Sequence, residues 1–155
     1  MVPVVDFILF SKCILIYAYK YKCIQKKEDT MKIYDHKFMA YFLKDDRLDG
    51  VWKPDSKNMS DYEFQYSILR YASFVMEYKI RKVLIDLTNF QFNPSEQSLE
   101  FHSDFVTKIY NLVGVQKKVF LAPFMENEII GKEPGTEYEN ANIKSYDEAV
   151  KWLNA

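Results

Sequence analysis

One pattern occurs twice in the second half of the chain and limits its fold more than anything else. A helical stretch ends, two basic residues follow, and an unbroken apolar run comes next: Arg81-Lys82 before Val83-Leu84-Ile85, then Lys117-Lys118 before Val119-Phe120-Leu121-Ala122. Short apolar runs of this kind suit strands covered on both faces. Strands alternating with helices make βα units and a parallel sheet. The two strands are therefore expected side by side at the middle of the sheet, with their polar ends meeting on one surface.

The elements between and around them read as follows. Phe38–Leu43 and Val51–Lys53 are expected as antiparallel strands joined by a charged turn, Lys44–Gly50, with Met31–Asp35 as a short strand before them. Pro54–Met59 is a polar connector. Ser60-Asp-Tyr-Glu63 is a capping box. It opens a helix to about Tyr78, with Phe64, Ile68, Tyr71, Val75 and Tyr78 on one apolar stripe. Asn93 is expected to cap a second helix that starts at Pro94 and runs to about Leu112. Phe101, Phe105, Ile109 and Leu112 form its expected buried face, and Gly114 its left-handed stop. Phe124–Asn140 is expected as a short helix followed by a loop. A last strand, Asn142–Lys144, leads to a second capping box, Ser145-Tyr-Asp-Glu148, and a terminal helix with Ala149, Val150, Trp152 and Leu153 inward. The fold class is α/β: a mixed sheet with an N-terminal antiparallel hairpin, then βα repeats, with helices mainly on one face.

The first thirty residues stand apart. Val2–Tyr19 is apolar but is broken by Asp6 and Lys12, which makes a poor membrane span. Lys20, Lys22, Lys26 and Lys27 would flank it if it were an anchor. Lys26-Lys27-Glu28-Asp29-Thr30 also admits a purine-rich codon choice of the kind that forms a bacterial ribosome-binding site ahead of Met31. The expectation is a leader, residues 1–30, outside the fold, and one domain over 31–155. Membrane association is expected only if that leader is an anchor. Both cysteines, Cys13 and Cys23, lie in the leader. The rest of the chain offers no thiolate or disulfide chemistry, which suits the cytoplasm.

Composition narrows the function. Net charge is −1, and no clustered basic run is present, so nucleic acid is not an expected partner. The two histidines, His36 and His102, are read as solvated or capping residues, because no serine or cysteine nucleophile motif accompanies them. No phosphate-cradling glycine motif occurs. Glu126, Glu128, Glu133, Glu137 and Glu139 make an acidic loop whose irregular spacing suits solvent better than a cation. No catalytic residue, metal or cofactor is assigned. The twelve tyrosines and twelve phenylalanines are enough for a ring-rich core and leave room for an apolar pocket between helices and sheet.

Gly50-Val-Trp-Lys53, Val83-Leu-Ile-Asp-Leu87 with Asn89, and Tyr146-Asp-Glu-Ala-Val-Lys-Trp-Leu153 give the chain its family likeness. Over roughly Phe38–Leu153 it resembles the STAS/SEC14-like superfamily, and within it the small SpoIIAA-like stand-alone proteins. The resemblance implies a mixed sheet with helices packed mainly on one side and a non-enzymatic regulatory or protein-interaction role. Relatives acting as anti-sigma-factor antagonists carry a phosphorylated serine at the start of the helix after the central strand, which puts Ser95 near that position. Here the local sequence is Asn93-Pro94-Ser95-Glu96, without the family's aspartate or glycine. Asp86, Thr88, Asn89, Asn93 and Ser95, at the carboxyl end of the first central strand, are the candidate partner or ligand surface. A protein is the expected partner. A small apolar, lipid-like or anionic ligand at the same edge is the alternative, and an exposed sheet edge suggests a homodimer.

Overall fold

The structure is a computed structural model and describes residues 30–155. The expectations for the leader, its anchor and its two cysteines lie outside the described residues.

Seven strands form one mixed sheet in the order β1-β2-β3-β4-β5-β7-β6. They are β1 Met31–Asp35, β2 Met39–Lys44, β3 Arg47–Trp52, β4 Lys82–Asp86, β5 Lys117–Leu121, β6 Ile129–Gly131 and β7 Glu139–Ile143. β2 and β3 are antiparallel; β3, β4, β5 and β7 run parallel; β6 returns antiparallel to β7. The two central strands are neighbours as expected, with Lys82 opposite Lys117 and Asp86 opposite Leu121. The edge strands are β1 and β6. The open edge beside the N-terminal strands is therefore β1.

That hairpin is tighter than its charge suggested. Lys44 pairs with Arg47, so only Asp45 and Asp46 make the turn, with Asp45 at a positive φ of 52°. Arg47 and Asp49 belong to β3 and are buried. They do so as a pair: Arg47 Nε donates to Asp49 Oδ1 at 2.7 Å and Nη2 to Oδ2 at 3.0 Å. Charge normally marks a solvated turn, but two opposite charges at i and i+2 of a strand share a face and satisfy each other.

Helix α1, Asp61–Glu77, starts on the expected capping box. The Glu63 amide donates to Ser60 Oγ at 3.3 Å, and the Ser60 amide donates to Glu63 Oε2 at 2.8 Å. Phe64, Ile68, Tyr71 and Val75 are buried, whereas Tyr78 at its end is exposed. Helix α2, residues 96–113, is α-helical over Glu96–Phe101, π-helical over His102–Val106 and α-helical again over Thr107–Val113. Gly114 ends it at φ 81°. The π-turn changes the buried face. An unbroken α-helix would carry Phe101 to Phe105, Ile109 and Leu112; one extra residue in the turn hands the inward positions to Val106 and Tyr110. Phe105 and Leu112 are exposed as a result.

Helix α3, Tyr146–Asn154, is capped by Ser145, whose Oγ accepts from the Glu148 amide at 3.2 Å. Alternation along the strands divides the core in two. Leu48, Trp52, Val83 and Ile85 face α1 and α2. Leu84, Val119, Leu121, Ala141 and Ile143 pack with Ala149 and Leu153 of α3 on the opposite face. Two buried tyrosines belong to the first of these layers. Tyr71 donates to the Leu48 carbonyl at 2.6 Å and Tyr41 to that of Ser67 at 3.1 Å, so each buries a ring and keeps its hydroxyl bonded. Gly50 lies where a side chain has no room: a Cβ there would come within 2.6 Å of Met39 Cε and 2.7 Å of Tyr71 Cε2.

Candidate functional site

The parallel strands β3, β4 and β5 end on one edge, and the candidate residues gather there. Asp86 closes β4 and turns the chain: its Oδ1 accepts from the Thr88 amide at 2.9 Å. The Leu87 amide donates to the Leu121 carbonyl at 2.9 Å, tying this turn to the end of β5. Beneath the loop lies the 3-10 turn Pro54–Asn58. The hydroxyl of its buried Ser56 accepts from the Gln91 amide at 3.0 Å and donates to the Asn89 carbonyl at 3.3 Å. Phe90 and Phe92 anchor the same loop on Phe64, with Phe90 also against Trp52. The loop backbone is held from below while Thr88, Asn89 and Asn93 are exposed.

Asn93 does not cap α2. The cap is Ser95, whose Oγ accepts from the Ser98 amide at 3.2 Å. Pro94 therefore precedes the cap, and Glu96 is the first helical residue. The shift follows from a tertiary anchor that local sequence does not reveal. Asp61 Oδ1, at the start of α1, accepts from the Ser95 amide at 2.9 Å and from Ser98 Oγ at 2.7 Å. These bonds, Ser98 first and then Ser95, hold the Asp61 carboxyl below its ordinary range.

The stretch Phe124–Asn140, expected to begin with a short helix, contains none. Ile129–Gly131 forms β6 instead, and this strand divides the loop between opposite edges of the sheet. The part before β6 sits beside the end of β7: Lys144 Nζ donates to the Glu126 carbonyl at 2.7 Å and its amide to Glu128 Oε1 at 3.2 Å. The part after β6 packs on the end of α2, where Asn111 donates to the Gly135 carbonyl and accepts from the Glu137 amide. The five glutamates are divided with it. Among the described residues no group of three acidic, histidine or cysteine side chains is placed to hold a metal ion. Of this stretch, the part before β6, with an exposed Phe124, shares the edge with Asp86.

A second feature lies inside, between the sheet and the π-turn of α2. A cavity of about 40 Å³ is lined by residues that include Tyr71, Ile85, His102, Val106, Tyr110 and Lys118. His102 is half-buried rather than fully solvated: burial, with the Lys118 charge adding to it, lowers its pKa to about 4. Lys118 is only 3% exposed and sits beside Val83 in the middle of the sheet. Its ammonium lies 4.7 Å from the Phe120 ring centre and 5.5 Å from that of Tyr138. Burial also lowers the pKa of Lys118, with the charge of Glu133 opposing the shift. Reading Lys117-Lys118 as a basic flank missed this. The available signal was parity: Val119 and Leu121 share one face, so Lys118 and Phe120 share the other, next to Val83 and Ile85.

The chain matches no known family, no curated protein and no solved structure.

Proposed function

We propose that the chain is a non-enzymatic regulatory or protein-interaction module of SpoIIAA-like type, acting from the carboxyl edge of its sheet. The observation that carries this reading is the contrast within residues 86–95. The backbone is fixed by Asp86, Ser56 and Asp61, while the side chains of Thr88, Asn89 and Asn93 are left free. A loop already ordered before contact loses little freedom on binding, which favours recognition of a protein surface. Phe124 supplies an exposed ring at the same edge, of the type that anchors interfaces. The partner is a protein, and the cytoplasmic setting rests on the absence of cysteine after Cys23. Among the described residues no helix is long and apolar enough to cross a membrane.

The test is affinity capture from the native host with T88A/N89A/N93A against the wild-type chain. Loss of a specific co-purifying protein, at an unchanged unfolding midpoint, is the expected result. An identical set of captured proteins overturns the reading.

The alternative of a lipid-like ligand between helices and sheet meets a size limit. A cavity of about 40 Å³ holds a few waters, against roughly 300–1,000 Å³ for drug-sized pockets.

A further inference from the structure

The cavity under the π-turn presents an electrostatic problem that the rest of the fold leaves open. Lysine is almost never fully buried without a partner, because an ammonium removed from water needs an opposite charge or hydrogen bonds. Lys118 is buried, yet among the described residues its Nζ makes no ion pair and no hydrogen bond. The faces of Phe120 and Tyr138 offer it only ring quadrupoles. The acid that acts on Lys118 from a distance is Glu133, on the exposed loop after β6, and it does not pair with it.

The helix above departs from α geometry where it covers this cavity. The amide of Thr107 donates to the His102 carbonyl, the i to i−5 bond of a π-turn. The π-turn places His102 in the cavity wall while Val106 takes the next inward position. π-turns recur at functional sites because they change which side chain a helix presents. Here the side chain presented is a second nitrogen group beside a lone buried cation. Most of the remaining wall, including Met39, Ile68, Ile85 and Val106, is apolar, and Tyr71 and Tyr110 add rings to it.

We propose that this cavity binds a small monocarboxylate with a short alkyl tail, its carboxylate on Lys118 Nζ and the His102 ring and its tail against Ile85 and Val106. One cation matches one negative charge, and a phosphate dianion would find too little positive charge there. The volume limits the ligand to about the size of acetate or propionate. This site is independent of the carboxyl edge, so it stands or falls apart from the protein-partner reading.

The experiment uses the full chain at pH 7 and follows the two histidine ring resonances by NMR, assigned with H102Q. Acetate, propionate and sodium chloride are titrated at constant ionic strength. The expected result is a saturable shift of the His102 signal with His36 unmoved, at least tenfold tighter for propionate than for chloride. Bound carboxylate should also raise the His102 titration midpoint by one pH unit or more. K118M, which keeps the volume and removes the charge, should weaken propionate binding at least tenfold. Shifts that are linear in concentration and equal for chloride mean a water-filled cavity and overturn the proposal. So does a folded K118M that binds propionate as the wild type does. If K118M does not fold, the His102 midpoint of the wild type, with and without propionate, decides the matter alone.

Discussion

Tyr146 donates its hydroxyl to Asp49 Oδ2 at 3.0 Å, joining the first residue of α3 to the middle of β3. The Tyr146 hydroxyl oxygen in turn accepts from Arg47 Nη2 at 2.9 Å, so three polar groups close a ring on the α3 face of the sheet. Burial raises the Asp49 pKa and Arg47 opposes that shift, which is the balance expected of an ion pair held out of water.

Removing one charge should cost far more than removing the hydroxyl. D49A leaves a buried guanidinium without its carboxylate and should destabilise by about 3–5 kcal/mol. Y146F removes one hydrogen bond from each partner and should cost about 1–2 kcal/mol. Replacing both charges in R47M/D49L should recover much of the loss. Urea unfolding of the four proteins checks the order, and a double variant less stable than D49A contradicts it.

Gly50 tests the packing above β3. An added methyl meets Met39 Cε, which can swing aside, and the Tyr71 ring, which is held by its 2.6 Å bond to the Leu48 carbonyl. G50A should therefore cost about 1–3 kcal/mol by overpacking. Pairing it with Y71F, which frees the ring from that bond, should give a smaller added loss than the two single changes predict. Strict additivity in denaturation would mean that the ring does not move.

Ser95 can be probed for its fitness as a phosphate acceptor without any kinase. Asparagine and aspartate cap helices about as well as serine, and a helix N-terminus by itself favours the anion. Asp61, however, already receives the Ser95 amide at 2.9 Å. S95N should unfold at nearly the wild-type midpoint, while S95D should unfold earlier, by a margin that shrinks with added salt. An S95D protein as stable as S95N would remove the objection from Asp61 and favour the modified state. S95A, which has no cap, should lose about 1 kcal/mol.

What the chain disclosed in advance was whatever depends on neighbours in sequence. The Ser60 and Glu63 box, the left-handed Gly114 and the two apolar strands behind their basic pairs are all local signals, and each is where it was expected. The misses depend on partners brought from elsewhere. Arg47 and Asp49 look like turn residues until a strand makes them face one another. Ser95 displaces Asn93 as the cap because Asp61, on another helix, holds it. Ile129 and Ile130 become a strand only because β7 offers an open side. The π-turn has no composition of its own, so the buried faces of Val106 and Tyr110 and the cavity wall at His102 followed from a single extra residue. The candidate surface was thus legible as a set of residues, and its support from Ser56 and Asp61 was not.

His102 links that cavity to a pH dependence of stability whose direction is fixed. Its pKa is about 4 in the folded chain, against about 6.5 for an unperturbed histidine. Between these values the unfolded chain binds the proton and the folded chain does not, so acid favours unfolding. The stabilisation is fully present above about pH 6.5 and is lost as pH falls towards 4, on the order of 2–3 kcal/mol across that window. H102Q, which has no proton to gain, should flatten this part of the curve while leaving contributions from carboxylates below it. Urea midpoints at pH 4.5, 5.5, 6.5 and 7.5 are the measurement. If the wild type and H102Q lose stability in parallel across this range, the imidazole is solvated and the cavity wall is open at that point.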